Sequence, residues 1–213
     1  MSAITRFIDI VLHLDKYLGT LLAQYGSLTY LILFLIIFIE TGLVLTPFLP
    51  GDSLLFAAGA FAGQGLLNVF VLIVMLTTAA VLGDTVNYWL GYHFGEKVFQ
   101  KSRFYHPEYL ERTNHFFEKY GKKTIFLARF VPVVRTFAPF AAGIGKMSYP
   151  VFLAYNVVGG LAWVLVFVLG GFFLGNLTVV KDNFSLMIVI IIIISFVPIV
   201  REWMKQRREE RKS

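Results

Sequence analysis

The feature that most constrains this chain is a set of apolar runs long enough to cross a lipid bilayer. Residues 151–175 contain no charged side chain, residues 66–88 contain only Asp84, and residues 186–200 form a third uncharged run. Because a transmembrane helix needs about 20 apolar residues, these runs predict an all-α integral membrane protein. The 213-residue chain is expected to form one membrane domain. Its charged content of 15% is well below the roughly one quarter found in soluble domains.

Two further apolar segments are interrupted by charges and by residues that break helices. The interruption in residues 27–63 contains Glu40, Pro47, Pro50, Gly51 and Asp52. The interruption in residues 124–147 contains Arg129, Pro132, Arg135, Pro139 and Gly143. Half-length apolar pieces joined by a break are typical of re-entrant hairpins, in which the chain enters and leaves the membrane on the same side. A plain full-length span over residues 27–45 is the main alternative for the first segment.

The distribution of basic residues predicts how these segments are oriented. Residues 91–123 carry seven Lys/Arg against four Asp/Glu, and residues 201–213 carry six against three. Basic segments next to spans stay in the cytoplasm, so both are expected there and the C-terminus is predicted to be cytoplasmic. The spans predicted at 151–175 and 185–201 then leave the cytoplasm and return to it.

This orientation predicts two units that face opposite ways. A span over residues 66–90 enters the cytoplasm, so the hairpin 27–63 dips in from the outer face and the hairpin 124–147 from the inner face. The order hairpin, span, hairpin, span describes an inverted repeat, which many secondary transporters contain. The halves show no strong sequence identity, so the repeat is a hypothesis.

Two other segments have the pattern of amphipathic helices. Residues 1–26 mix polar and apolar side chains at helical spacing and lack the pattern of a cleavable signal peptide. They form either an interfacial helix on the membrane or a helix packed on its own domain. Residues 105–121, with Pro107 near the start and Gly121 at the end, predict a helix on the cytoplasmic surface. Residues 202–213 form a basic cytoplasmic tail.

Four charged residues lie inside the interrupted segments, namely Glu40, Asp52, Arg129 and Arg135. An ionisable side chain at the centre of a membrane helix costs about 2.5–3.5 kcal/mol on insertion scales, so each needs a partner or water. We expect both hairpin tips to meet halfway through the membrane, with carboxylates near arginines around a polar cavity. The alternative is that buried ion pairs only fix how the hairpins dock.

The two signs of charge predict separate chemical roles. Arg129 and Arg135 are candidate substrate-binding residues, because a guanidinium can hold a phosphate through two parallel hydrogen bonds. Glu40 and Asp52 are candidate proton-coupling residues, because a carboxylate in a low-dielectric site can bind and release a proton. Asp84 is a third candidate for this role. The alternative role for Asp84 is structural, as a local hydrogen-bond partner of Thr85 or Asn87.

Several other classes of protein are disfavoured. The chain has no cysteine, and its four histidines, at positions 13, 93, 106 and 115, form no metal-ligand pattern, so no metal and no cofactor is expected. The segment from Gly143 to Lys146 lacks the glycine spacing of a phosphate loop. The net charge of +6 reports membrane orientation rather than nucleic-acid binding. No histidine lies in an interrupted apolar segment, which disfavours a lipid phosphatase, and no enzymatic activity is predicted.

Long blocks of the chain resemble the DedA family, which belongs to the SNARE-associated Golgi protein, or VTT-domain, superfamily. These blocks read FIETGLVLTPFLPGDSLLFAAGA, GDTVNYWLG, FFEKYGKKTIFLARFVPVVRTFAPFAAGIGKMSY and AYNVVGGLAWV. The resemblance implies two opposed re-entrant hairpins in a multi-pass protein of the bacterial inner membrane. The membrane acids and arginines considered essential in the family match Glu40, Asp52, Arg129 and Arg135.

The resemblance also implies a function. Members are linked to membrane potential, envelope integrity and drug resistance, and some to moving undecaprenyl phosphate or phosphatidylethanolamine. We therefore expect a flippase or scramblase for a lipid with an anionic phosphate headgroup, coupled to protons. A proton-coupled small-ion transporter is the alternative, and a non-transporting scaffold is a further one. The oligomeric state is left open, with a homo-oligomer among the options.

Overall fold

The fold is given by a computed structural model, which describes residues 13–43, 51–101, 121–175 and 183–191. It also describes six single positions, namely Asp9, Phe117, Leu177, Thr178, Val180 and Ile193. Within this part of the chain all regular secondary structure is helical. The helices are α1 (Leu14–Tyr25), α2 (Leu28–Gly42), α3 (Gly51–Gly63), α4 (Val69–Lys101), α5 (Thr124–Ala128), α6 (Pro132–Ile144), α7 (Tyr149–Leu174) and α8 (184–191). A 3-10 turn, Gly121–Lys123, precedes α5.

Two helices have the length and composition needed to cross a membrane. They are Val69–Phe94 within α4 and Tyr149–Leu174, and they are the two that qualify among the described residues. Both expose large apolar side chains, including Phe70 at 72% and Val158 at 59% of full exposure. Exposed apolar surface of this kind suits contact with lipid. The helix α2 is apolar but shorter.

Other predicted segments are only partly described. The predicted span 185–201 is described over α8, and its later part lies outside the described residues. Almost all of the predicted helix 105–121 and the whole tail 202–213 also lie outside the described residues. The helix α4 continues to Lys101, beyond the predicted end of the span at residue 90.

The described part of the N-terminal segment lies against the rest of the protein. The helix α1 contacts α3 and α2. Its side chains Leu14 and Leu18 are buried in a core that also contains Leu33, Leu55 and Trp163. This packing corresponds to the second of the two alternatives for this segment, a helix packed on its own domain.

The helix breaks differ in part from those predicted. The prolines Pro47 and Pro50 lie outside the described residues, and Gly51 begins α3. Pro132 occupies the first turn of α6, where its missing N–H leaves no helical hydrogen bond unmade.

Pro139 and Gly143 do not break the chain, contrary to the prediction, because both lie inside α6. Proline removes one hydrogen bond from a helix interior, and membrane helices tolerate this loss when neighbouring groups satisfy the freed carbonyl. Gly143 is needed inside α6 because α4 approaches the helix closely at this position. A Cβ at this position would overlap the backbone carbonyl of Tyr88.

The contact between α4 and α6 is reciprocal. Gly91 of α4 lies against the carbonyl of Phe140, just as Gly143 of α6 lies against the carbonyl of Tyr88. On each helix the carbonyl and the glycine are about one turn apart, so each backbone fits against the other. Glycine permits this spacing because no side chain separates the two helices.

The contact between α3 and α7 repeats the same arrangement. Gly59 lies against the carbonyl of Val168, and Gly171 lies against the carbonyl of Phe56. The residues FAAG occur both at 56–59 and at 140–143. Therefore α3 and α6 carry the same short sequence, and each packs on the long helix of the other half of the chain. This internal correspondence supports a repeat of two units.

Candidate functional site

The candidate site is centred on Arg135, which contacts two acidic residues from the first half of the chain. Its Nη1 donates to Asp52 Oδ1 at 2.6 Å and its Nη2 donates to Glu40 Oε1 at 2.9 Å. Arg135 is 7% exposed and Glu40 is 4% exposed. Charge-assisted hydrogen bonds of this kind are the strong ones in proteins. One guanidinium therefore joins the last turn of α2, the first turn of α3 and the helix α6.

Glycine at position 51 allows the two acids to share this partner. A Cβ on Gly51 would overlap the Glu40 carboxylate. Gly51 directly precedes Asp52, so the start of α3 lies against the end of the Glu40 side chain. Any larger residue there would displace Glu40 or move the Asp52 backbone.

Arg129 forms a second charged group in the same region. It follows α5, and its Nη2 donates to Asp84 and also to Asn156 Oδ1, the latter at 2.6 Å. The guanidinium is enclosed by α4 and α7, and the residue is only 2% exposed. Its Nε and Nη1 are buried and have no hydrogen-bond partner among the described residues.

Two adjacent glycines on α7 make room for Arg129. A Cβ on Gly159 would lie 3.4 Å from Arg129 Cγ, and one on Gly160 would lie 3.6 Å from Arg129 Nη2. The side chain thus runs along a flat strip of helix backbone. Asn156, one turn earlier on α7, accepts from Arg129 and donates through Nδ2 to the carbonyl of Val81 at 3.1 Å.

Trp163 lies between the two charged groups. Its Nε1 donates to Asp52 Oδ1 at 2.8 Å. The Cζ atoms of Arg135 and Arg129 lie 4.9 Å and 5.8 Å from the centroid of the indole. Both distances are within the range of a cation–π interaction, for which tryptophan is the best aromatic partner. Trp163 is completely buried.

Asn87 ties the interrupted segments to α4. Its Nδ2 donates to the carbonyl of Thr41 at 3.2 Å and to that of Thr136 at 2.9 Å. These carbonyls belong to the last turn of α2 and to α6, next to Glu40 and Arg135 respectively. Asn87 therefore fixes the backbone next to Glu40 relative to the backbone next to Arg135.

The predicted site residues converge, and the structure specifies which acid pairs with which arginine, a choice that the sequence left open. Glu40 and Asp52 both contact Arg135, whereas Arg129 contacts Asp84, which comes from α4. The hydrogen bond from Arg129 brings Asp84 into the site, and the hydroxyl of Thr85 bonds elsewhere, to the carbonyl of Val81. With every group ionised, the three carboxylates and two guanidiniums carry a net charge of −1.

Three contributing residues were not singled out from the sequence. Trp163 and Asn156 lie in a long uncharged run, where a tryptophan or an asparagine is easily taken for ordinary packing. A buried asparagine in an apolar helix needs hydrogen-bond partners, so the polar residues within such runs were the available signal. Asn87 was noted only as a neighbour of Asp84.

The chain resembles known membrane proteins over nearly its whole length. The VTT domain matches residues 49–173. Protein DedA of Escherichia coli (strain K12) is 53% identical over 212 residues, which cover 98% of this chain and 97% of that protein. An uncharacterized membrane protein of Mycobacterium tuberculosis is 45% identical over 178 residues, covering 82% and 78%. Inner membrane protein YqjA of Escherichia coli (strain K12) is 36% identical over 152 residues, covering 70% and 69%. No solved structure matches the chain.

Proposed function

The chain belongs to the DedA family of VTT-domain membrane proteins, and from this premise we propose that it moves a lipid with an anionic phosphate headgroup across the bilayer. The cargo we propose is undecaprenyl phosphate or another phospholipid of the bacterial inner membrane. The C-terminal tail lies in the cytoplasm in this proposal, as the excess of basic residues favours.

The observation that carries the proposal is the bridge from Arg135 to Asp52 and Glu40. These two carboxylates accept hydrogen bonds from the two guanidinium nitrogens, Nη1 and Nη2, to which two oxygens of a phosphate would bind. Two oxygens of one headgroup phosphate can therefore replace the oxygens of the two acids. The exchange keeps the buried guanidinium paired throughout, which matters because an unpaired buried charge is costly.

Proton coupling follows from the charge of the site. When a phosphate takes the place of the acids, Glu40 and Asp52 lose the positive charge of Arg135. A buried carboxylate that has lost its counter-charge is neutralised by binding a proton. Asp84 provides a third acid next to Arg129. Headgroup entry would then be accompanied by proton binding, and a proton gradient would bias the direction of lipid movement.

Arg129 supplies donors for the same headgroup. Its Nε and Nη1 have no hydrogen-bond partner among the described residues, although the residue is buried. Such groups are unusual in native proteins, and each calls for a ligand or water. In the proposed cycle the phosphate reaches Arg135 first, and its free oxygens accept from this side of Arg129.

A second candidate function is a proton-coupled small-ion transporter. It is favoured by the net negative charge of the site and by two buried oxygens, Asp84 Oδ1 and Asn87 Oδ1, that lack hydrogen-bond partners within the described part of the chain. Oxygen atoms of this kind suit a hard cation. This function needs the same residues but no lipid.

Reconstitution in liposomes separates the two functions. Purified protein is placed in vesicles that contain labelled undecaprenyl phosphate or labelled phosphatidylethanolamine, and the accessibility of the label is followed across a pH step. The proposed function predicts that labelled lipid changes leaflet in a protein-dependent manner. Ion flux with no movement of either lipid would support the small-ion transporter and contradict the lipid transporter. Empty vesicles provide the control.

A further inference from the structure

Trp163 makes two different contacts with two different members of the candidate site. Its indole N–H donates to the Asp52 carboxylate, and the face of its ring lies 4.9 Å from the Arg135 guanidinium carbon. Asp52 Oδ1 accepts from Arg135 as well. The three side chains come from α3, α6 and α7, so they form a closed triangle across three helices.

We propose that Trp163 is a positioning residue of the headgroup site, which keeps Asp52 and Arg135 in place while a lipid phosphate replaces the carboxylate on the guanidinium. This inference rests on the proposed function. It identifies which residue stabilises Asp52 and Arg135 while the phosphate is bound in place of the carboxylate. The indole N–H only donates hydrogen bonds and carries no charge at any stage of the exchange. It therefore remains available to Asp52 when Arg135 turns to the phosphate.

The ring face has a matching role for the guanidinium. A cation over an indole face is attracted most strongly when water is excluded, and Trp163 is completely buried. The attraction does not depend on which anion the guanidinium holds. Arg135 can thus exchange one anionic partner for another without losing its place. The Cζ atom of Arg129 lies 5.8 Å from the centroid of the same ring, so its cation–π interaction with Trp163 is weaker.

A space-filling role makes a different prediction from a positioning role. If Trp163 only fills volume, a phenylalanine would weaken folding and lower the amount of active protein without changing how the lipid binds. If it positions Asp52, the loss of the indole N–H makes headgroup binding less favourable. Asp52 has then lost the hydrogen bond from residue 163 in addition to the one from Arg135.

The test compares Trp163→Phe and Trp163→Leu with Trp89→Phe in lipid-transport assays on proteoliposomes with equal amounts of folded protein. Trp89 is a matched control, because it is 39% exposed and contacts Tyr88, Tyr92 and Tyr149 rather than the charged groups. Trp163→Phe keeps an aromatic face and loses the N–H, and we expect it to raise the apparent KM for undecaprenyl phosphate by about tenfold. The maximal rate should change far less. Trp163→Leu loses both contacts and should raise the KM further, whereas Trp89→Phe should leave it unchanged.

The emission of Trp163 gives a measurement that needs no substitution at the site. The chain has three tryptophans, so Trp89→Phe combined with Trp203→Phe leaves Trp163 as the sole indole reporter. Adding undecaprenyl phosphate to this protein in detergent should change the emission in a saturable manner, and the same lipid without its phosphate should not. An emission that does not respond to the phosphate lipid would overturn the inference.

The outcomes separate this inference from the function on which it rests. Wild-type protein that transports no lipid contradicts the proposed function. Wild-type protein that transports lipid, together with Trp163→Phe and Trp163→Leu variants of unchanged KM, contradicts the role of Trp163 alone. A reduced maximal rate at unchanged KM would also overturn it, because a purely structural role predicts that result.

Discussion

Arg135 and Asp52 stand 83 positions apart in the chain, yet Arg135 Nη1 lies 2.6 Å from Asp52 Oδ1. The same guanidinium reaches Glu40, 95 positions away, at 2.9 Å. These two bonds join the interrupted segment of the first half to that of the second half. They lie inside a protein whose long helices expose apolar side chains. The central charged group is therefore a feature of the contact between the two halves rather than of either half alone.

Glu40→Gln is predicted to change the pH dependence of lipid transport. Glutamine keeps the shape of the side chain and an oxygen that can accept from Arg135 Nη2, but it cannot bind or release a proton. Initial rates of lipid transport in proteoliposomes, measured over a series of pH values, would check this. Asp9→Asn is the control, since Asp9 is part-exposed and lies far from the site in sequence. A pH profile identical to that of the wild type would show that Glu40 is structural.

Asp84→Ala is predicted to destabilise the folded protein by about 3–5 kcal/mol, because it leaves the buried Arg129 without its carboxylate. Thermal unfolding in detergent, compared with wild type, measures the effect. Asp9→Ala is the matched control, because Asp9 accepts a hydrogen bond from Tyr17 in an exposed pair, and a typical hydrogen bond contributes about 0.5–1.5 kcal/mol. Equal stability of the two variants would contradict the assignment of Asp84 as the partner of Arg129.

The glycine contacts predict opposite results for two neighbouring substitutions on α7. A Cβ at Gly171 would overlap the carbonyl of Phe56, whereas one at Gly170 would lie 3.9 Å from the Phe56 ring. Gly171→Ala should therefore destabilise the protein by about 1–3 kcal/mol. Gly170→Ala should be neutral or stabilising, since alanine is the better helix former. Thermal unfolding of both variants decides the matter, and similar melting temperatures would argue against a close α3–α7 contact.

Much of the fold follows from local properties of the sequence. The long uncharged runs predict α4 and α7, because backbone groups in lipid must be satisfied within a helix and hydropathy reflects that need. Glu40, Asp52, Arg129 and Arg135 were identified by the cost of placing charge in an apolar segment. That cost depends on the neighbours along the chain, which the sequence displays directly.

The pairing of these charges does not follow in the same way. Nothing in the spacing of Arg129 and Asp84 distinguishes that pair from Arg129 with Asp52, because the choice depends on which helices pack together. The absence of a side chain at Gly91 and Gly143 allows α4 and α6 to pack closely, and a single glycine in an apolar run has many other uses. The position of Pro139 inside α6 does not follow from the sequence either, because a proline in an apolar segment is compatible with a helix break and with a continuous helix.

The central claim is that the Arg135 guanidinium is where a lipid phosphate binds during transport, and Arg135→Lys tests it most directly. Lysine keeps the positive charge but replaces a planar fork with a point charge, so it cannot hold two oxygens in parallel. The measurement is the rate at which labelled undecaprenyl phosphate changes leaflet in proteoliposomes with equal amounts of folded wild-type and variant protein. Arg129→Lys serves as a second variant with the same expectation.

We predict that Arg135→Lys inserts and folds but loses at least about tenfold in rate, as expected when a charge-assisted hydrogen bond of more than about 1.4 kcal/mol is lost. Transport of undecaprenyl phosphate at the wild-type rate by the folded Arg135→Lys protein would contradict the claim.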